Sequence, residues 1–327
     1  MARGAGRVHL FDNIRFLLIL SVVLCHFLEI CHGVPGGRIL YKILASFPMP
    51  VFLFLLGYFA SYRPSRIVKD WIVPYVIFQT LYLLFYRGVL GGEAEIQYTV
   101  PYWLLWFMLV GVFYQLLLPL YDLPKGRGKL WFFLLTLAVG ILAGWDENIG
   151  YFLALSRFFV FQPWFVLGYY LRKNDSLEKL QSAEPWKRRV ISAVSVLGVI
   201  ASMVYIYICK PSEFVLYGSA PYGAESGSVW DRLALMALAG AWIFFLLVAL
   251  RPILSRKIPL VSRIGRNSLP VYLLHGFVFK LLEHYKPQFL QSFWAPFVLT
   301  LALLLLLGQP WLTELLRGRV KPLSKNK

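Results

Sequence analysis

Charge is scarce in this sequence. Only 15% of its 327 residues are Asp, Glu, Lys or Arg, against about 25% in ordinary soluble domains. With 59% hydrophobic residues, the chain has too few charges to cover a water-facing surface, which excludes a pair of ordinary soluble domains. Cysteine is nearly absent. The three present, Cys25, Cys31 and Cys209, are an odd number, which argues against a disulfide framework and leaves a single Cys31–Cys209 bridge as the pairing to consider. Cys25, His26, Cys31 and His32 form two pairs six residues apart. On a helix that spacing turns the second pair about 120° away from the first, so they do not make a metal site. Internal repeats and low-complexity blocks are lacking as well. The longest polar stretches, about 172–188 and 210–229, are too short to be soluble domains.

What is present is a series of long apolar runs. A bilayer core needs about 20 helical residues per crossing. Ten windows qualify, roughly 13–32, 39–61, 69–87, 101–121, 130–146, 150–171, 189–209, 230–250, 267–286 and 290–316. Pro48 and Pro50 soften the second window, and the fifth is short. Lys and Arg outnumber Asp and Glu by 33 to 16, an excess that in a soluble protein would suggest nucleic acid. Here it sorts by side. The N-terminus, the loops after windows two, four, six and eight with their edges, and the C-terminus hold 24 of the 33 basic residues, and the alternate loops hold five. The positive-inside rule then gives an all-α polytopic membrane protein of about ten transmembrane helices with both termini cytoplasmic. It divides into a cytoplasmic segment 1–12, a membrane domain 13–316 and a basic tail 317–327. Arg3 and Arg7 precede the first run in the manner of a signal peptide, but no small-x-small site follows, so it is expected to stay as a helix.

Ionisable side chains inside the hydrocarbon are expensive and point to function. His26 lies deep in the first helix, and Arg15 lies 11 residues earlier, close to three full turns, on the same face. Asp12 is positioned to pair with Arg15 near the helix start, where the dipole favours a carboxylate. Glu29, one turn after His26, can orient its imidazole. Arg157 sits about 10 Å from the outer edge of its own helix, a depth that matches His26; snorkelling outward is the plain alternative. His275, with Tyr272 three residues before it, is as consistent with a packed histidine as with a functional one. Lys280, Glu283 and His284 read as an interfacial salt-bridged turn. Trp103 and Trp106 suit the outer aromatic belt, with an inward orientation open for Trp106.

The run Asp12-Asn-Ile-Arg15-Phe-Leu-Leu-Ile-Leu-Ser-Val-Val-Leu-Cys-His26 resembles the first helix of the acyltransferase type 3 family, whose hallmark is a basic residue, ten intervening residues and a histidine. Phe47-Pro-Met-Pro-Val-Phe-Leu-Phe-Leu-Leu-Gly57-Tyr58 is similar to the family's second-helix signature, with Leu56 where a small residue is usual. Lys69 with Pro74-Tyr75, Leu105-Trp106-Phe107, the segment Arg157 to Tyr170 and Asn267 to His275 resemble later family segments in order. The resemblance implies a cell-membrane, multi-pass enzyme, bacterial by expectation, that takes an acyl group (acetyl preferred) from cytoplasmic acyl-CoA to a hydroxyl of a cell-envelope glycan or glycolipid. It implies no metal and no nucleic acid partner; membrane lipid is the surrounding partner. On that reading His26 is the general base or a transient acyl carrier, Glu29 its orienter, and Arg157 the group that stabilises oxyanion charge or holds the acceptor. Arg15, Arg63, Arg66 and Lys69 would meet the CoA phosphates, Arg63-Pro-Ser-Arg66 fitting an Arg-x-x-Arg pattern. Asp12 would fix Arg15, and Trp106, Tyr272 and His275 would support the site. The rival class is a transporter or flippase of a glycan-lipid or small substrate, since charged residues in broken helices also mark substrate pathways. The inverted repeats expected of many such folds are not evident.

Overall fold

The computed structural model describes residues 9–223 and 227–317. The expectations for residues 1–8 of the N-terminal segment and 318–327 of the tail lie outside them. Among the described residues the chain is helical, with no strand beyond an isolated bridge between Gly223 and Gly227. Short turns of helix aside, the principal helices are α1 His9–Ile30, α2 Gly37–Ser46, α3 Pro48–Tyr58, α4 Pro64–Gly88, α5 Trp103–Leu116 and α6 Gly128–Leu142. Then follow α7 Phe152–Lys173, α8 Pro185–Cys209, α9 Val229–Ala249, α10 Pro259–Arg266, α11 Ser268–Tyr285, α12 Ala295–Leu307 and α13 Pro310–Leu316.

Each of the ten apolar windows contains helix, but they are not equal. Six are long and apolar enough to cross a membrane: α1, α2 with α3, α4, α7, α8 and α9. The pair α12 and α13, bent by 66°, would make a seventh, whereas α5 and α6 are shorter. The exposed surface of α8 agrees with lipid as its solvent. Val190, Val194, Leu197, Val204 and Ile208 recur at helical spacing on that surface, a stripe that water would not tolerate.

Departures from the sequence windows have local causes. α1 is already helical at His9, ahead of the window's start near residue 13, and Leu10, Asp12 and Asn13 are buried there. The second window breaks at Phe47, whose φ of −122° lies off the helical value. The residue before a proline is pushed out of the helical region, and Pro48 then opens α3 at the position where its missing N–H costs nothing. In α4 the proline is accommodated otherwise. Val68–Ile72 forms a π-turn immediately ahead of Pro74, widening the helix where the ring would meet the carbonyl of Asp70. A second π-turn, Phe245–Ala249, closes α9.

The chain forms two compact units, residues 1–35 with 254–327, and residues 36–253. In the first, α1 packs against α10, α11 and α12. Gly265 of α10 permits this approach, since a Cβ there would lie 1.8 Å from the backbone oxygen of Asp12. In the second unit, the α3–α7 crossing is the most extensive helix pair. It is reciprocal: a Cβ on Gly57 would lie 2.0 Å from the oxygen of Phe165, and one on Gly168 would lie 2.0 Å from the oxygen of Phe54. Small residues let helix backbones approach closely where lipid gives no hydrophobic drive to association.

Candidate active site

The first unit builds its polar centre on α1. At one end, Asp12 is buried and lies in the first turn, where the helix dipole favours its charge. Arg15 Nη1 reaches Asp12 Oδ1 at 3.4 Å, as the i, i+3 spacing predicts. The sequence reading did not foresee a second cation: Arg266 Nε of α10 lies 3.7 Å from Asp12 Oδ2. Asp12 therefore sits between two guanidinium groups and fixes both.

Next to it, Asn13 is fully buried and its amide is used from both sides. Its Nδ2 donates to the carbonyls of Leu254 at 2.7 Å and Arg256 at 2.9 Å, and its Oδ1 accepts from Ser262 Oγ at 2.7 Å. Asn13 had no assigned role in the sequence reading. It ties α1 to the segment leading into α10, and its only sequence signal was its place inside the Asp12–Arg15 motif.

About 16 Å further along α1, at 1.5 Å per residue, stands His26. Its side chain is 16% exposed, and its Nδ1 lies 3.8 Å from Glu29 Oε2. That is too long for a good hydrogen bond and close enough for the carboxylate to attract a protonated imidazole. The imidazole of His275 stacks on His26 with ring centroids 5.5 Å apart and planes 23° apart, and Phe279 closes a third side at 5.8 Å. His275 is fully buried, and its Nδ1 lies 2.9 Å from the carbonyl oxygen of Val271. A carbonyl only accepts, so Nδ1 carries the proton and the tautomer is set. Tyr272, one turn before His275, is half-buried. The two histidines that stood apart in sequence are thus neighbours, and Phe279, which sequence reasoning passed over, completes the enclosure.

In the second unit Arg157 is held by aromatic faces. Its guanidinium carbon lies 5.0 Å from the ring centroid of Trp106 and 5.5 Å from that of Tyr151, and its Nε donates to the carbonyl of Tyr217 at 3.3 Å. Such stacking stabilises a partly desolvated cation. Trp106 is buried and stacks on Phe161 at 5.5 Å, so it faces inward and is not part of an outer belt. Arg63, Arg66 and Lys69 are exposed at i, i+3 and i+6 around the start of α4, and Lys69 lies within the π-turn. A cation at a helix start opposes the dipole, so this row gains nothing locally and is open to an anion. Cys25, Cys31 and Cys209 are all free thiols.

A buried cation that sequence reasoning left unassigned is Arg232. It donates to the carbonyls of Gly140 at 3.2 Å and Ala220 at 2.9 Å and covers the ring of Tyr222 at 4.6 Å. These partners explain its burial as structural, a carbonyl-capped brace between α6, α9 and the preceding loop.

A family model described as an acyltransferase domain, that of the acyltransferase type 3 family, matches residues 8–309. No curated protein and no solved structure matches the chain.

Proposed function

Because the chain belongs to the acyltransferase type 3 family, we propose that this membrane-embedded acyltransferase moves an acetyl group from cytoplasmic acetyl-CoA to a hydroxyl of a cell-envelope glycan or glycolipid. Ten crossings with both termini cytoplasmic, in a bacterial plasma membrane, are the topology of this reading. The observation that carries it is the organisation of α1. One end holds a buried carboxylate between two arginines, and the same helix bears an enclosed histidine about 16 Å away. That separation suits a donor with phosphates at one end and a thioester at the other.

In the proposed step His26 takes the proton of the acceptor hydroxyl as its oxygen attacks the thioester carbonyl. The tetrahedral oxyanion collapses, the C–S bond breaks, and CoA leaves as a thiolate that takes the proton back from His26. Glu29 attracts the imidazolium formed in between, and the stacked His275 and Phe279 keep the His26 ring from turning. Arg15, positioned by Asp12, and the α4 row Arg63, Arg66 and Lys69 are the proposed contacts for CoA phosphates. Arg157 is the proposed cation for the acceptor or for oxyanion charge.

The test is a radiolabelled acetyl-CoA assay on the purified chain at matched expression. His26→Ala is expected to lose about 10²–10⁴-fold in acetyl transfer, and Arg15→Ala to raise KM for acetyl-CoA. A wild-type rate in His26→Ala would remove His26 from the chemistry, and movement of glycan without acetyl-CoA consumption would replace the enzyme with a flippase.

A further inference from the structure

Within the first unit, where α1 and α11 end together, lies a cavity of about 160 Å³. At about 30 Å³ per water this is the room of roughly five waters, the bulk of one sugar ring. Its polar lining includes Glu29, Glu283, Lys286 and Gln291, and Leu282 and Leu290 supply apolar surface. Glu29 belongs to two places at once, since the carboxylate that lines the cavity is also the one 3.8 Å from His26.

The walls are built, not incidental. A Cβ on Gly33 would lie 1.9 Å from the oxygen of Gln291, so the end of α1 rests directly on the turn that carries Gln291. Cys31, Leu290 and Ala295 form a buried apolar cluster packed against Ile30, Leu282 and Leu299, which backs this end of the unit. Chemistry at the rim is mixed. Carboxylates accept, the ammonium donates, and Gln291 does both, which complements hydroxyls that donate and accept. The apolar side chains suit the C–H face of a ring. The formal charges nearly cancel: Glu283 is paired with Lys280 at 2.6 Å, and Glu29, Lys286 and a neutral His32 complete the ionisable lining. Two carboxylates, Glu29 and Glu283, stand on the lining against one lysine, Lys286, which disfavours an anionic ligand.

We propose that this cavity is an acceptor subsite that takes one neutral, hydroxyl-bearing sugar ring and directs a hydroxyl along Glu29 toward His26. The proposal rests on the acyl-transfer reading and on its outward orientation of this end of α1. It makes Gln291 and Glu283 specificity-determining residues and excludes uronic or phosphorylated sugars from this position.

The experiment uses the full chain in cells carrying Cys209→Ser, so that the remaining native thiols, Cys25 and Cys31, are buried. Gln291→Cys, and separately His32→Cys on the same rim, are treated with the membrane-impermeant thiol reagent MTSET. Labelling is expected from outside, with acetyl transfer to the envelope reduced at least about tenfold. His26-dependent acetyl-CoA hydrolysis by the labelled His32→Cys protein after solubilisation is expected to stay within about twofold. Methyl β-D-glucopyranoside should slow the labelling and glucuronate at the same concentration should not. Unchanged transfer after complete labelling, or failure of both cysteines to label from outside, overturns the subsite. Equal protection by both sugars, or by neither, overturns its neutral specificity. If the unlabelled protein consumes no acetyl-CoA in a His26-dependent way, the acyl-transfer reading falls instead, while selective protection by the glucoside would still mark a sugar site.

Discussion

Replacing Asn13 by Ala tests how the first unit is held together. The substitution deletes three hydrogen bonds of 2.7–2.9 Å from a fully buried side chain. It strands two backbone carbonyls and the Ser262 hydroxyl. Interhelical hydrogen bonds in membrane proteins average about 0.6 kcal/mol each, and buried ones in soluble proteins about 0.5–1.5 kcal/mol. Three together therefore stabilise the unit by about 2–4 kcal/mol. Ser262→Ala removes one of them and should cost about 1 kcal/mol. Because the two side chains share a bond, the double variant should be less destabilised than the sum of the singles by about 0.5–1 kcal/mol. The assay is equilibrium unfolding in mixed detergent micelles, followed by tryptophan fluorescence, on all four members of the cycle. A loss under about 0.5 kcal/mol for Asn13→Ala, or strict additivity in the cycle, would refute the reasoning. Asn13→Asp should be as harmful as Asn13→Ala, since a carboxylate would face two carbonyl oxygens that cannot donate to it.

Three other expectations follow from the same kind of geometry. Gly57→Ala should overpack the α3–α7 crossing and cost about 1–3 kcal/mol, whereas Gly150→Ala, with nothing within 4 Å of the new Cβ, should stay within about 0.5 kcal/mol; paired unfolding curves compare them. His275→Phe keeps a ring against His26 but loses the bond to Val271, so kcat should fall with KM for acetyl-CoA unchanged; a rise in that KM alone would remove His275 as a positioning residue. Asp122 loses solvation, which raises its carboxyl pKa, but hydrogen bonds from Tyr169 and Lys173 outweigh this and hold it below the ordinary value of 3.8. Its clasp with Lys173 at 3.1 Å therefore stabilises above that pH and is lost as pH falls through 3.8 and below; Asp122→Asn should flatten the acid limb of the unfolding midpoint, and an unchanged limb would count against it.

Much of the helical framework could be read from apolar run length, because lipid leaves an unbroken stretch of about twenty residues few alternatives to a helix. The breaks were readable only where proline announced them. Pro48 marked the Phe47 interruption, but the π-turn before Pro74 has no local signature separate from an ordinary proline kink. At the candidate site, i, i+3 arithmetic placed Arg15 on Asp12 and Glu29 near His26. It could not place Arg266 on Asp12, Ser262 on Asn13 or His275 on His26, since these partners are some 250 residues apart and no periodicity links separate helices. Burial carried the same limit. Arg232 and Arg157 are both arginines of helical segments, yet one is capped by carbonyls and the other held by rings, and only the neighbouring chain decides which.

The reciprocal glycines at the α3–α7 crossing bear on how this protein can change over generations. Side-chain packing is forgiving, because a larger residue at one position is absorbed by a smaller one opposite. At Gly57 and Gly168 the opposing atoms are peptide oxygens, which every amino acid possesses and no mutation can shrink. Changes in the residues that flank this junction can therefore be absorbed by their neighbours, whereas a side chain at either glycine must displace a backbone. A search for distant kin would do better to weight that pair, at its separation along the chain, than the volume or chemistry of the surrounding apolar residues.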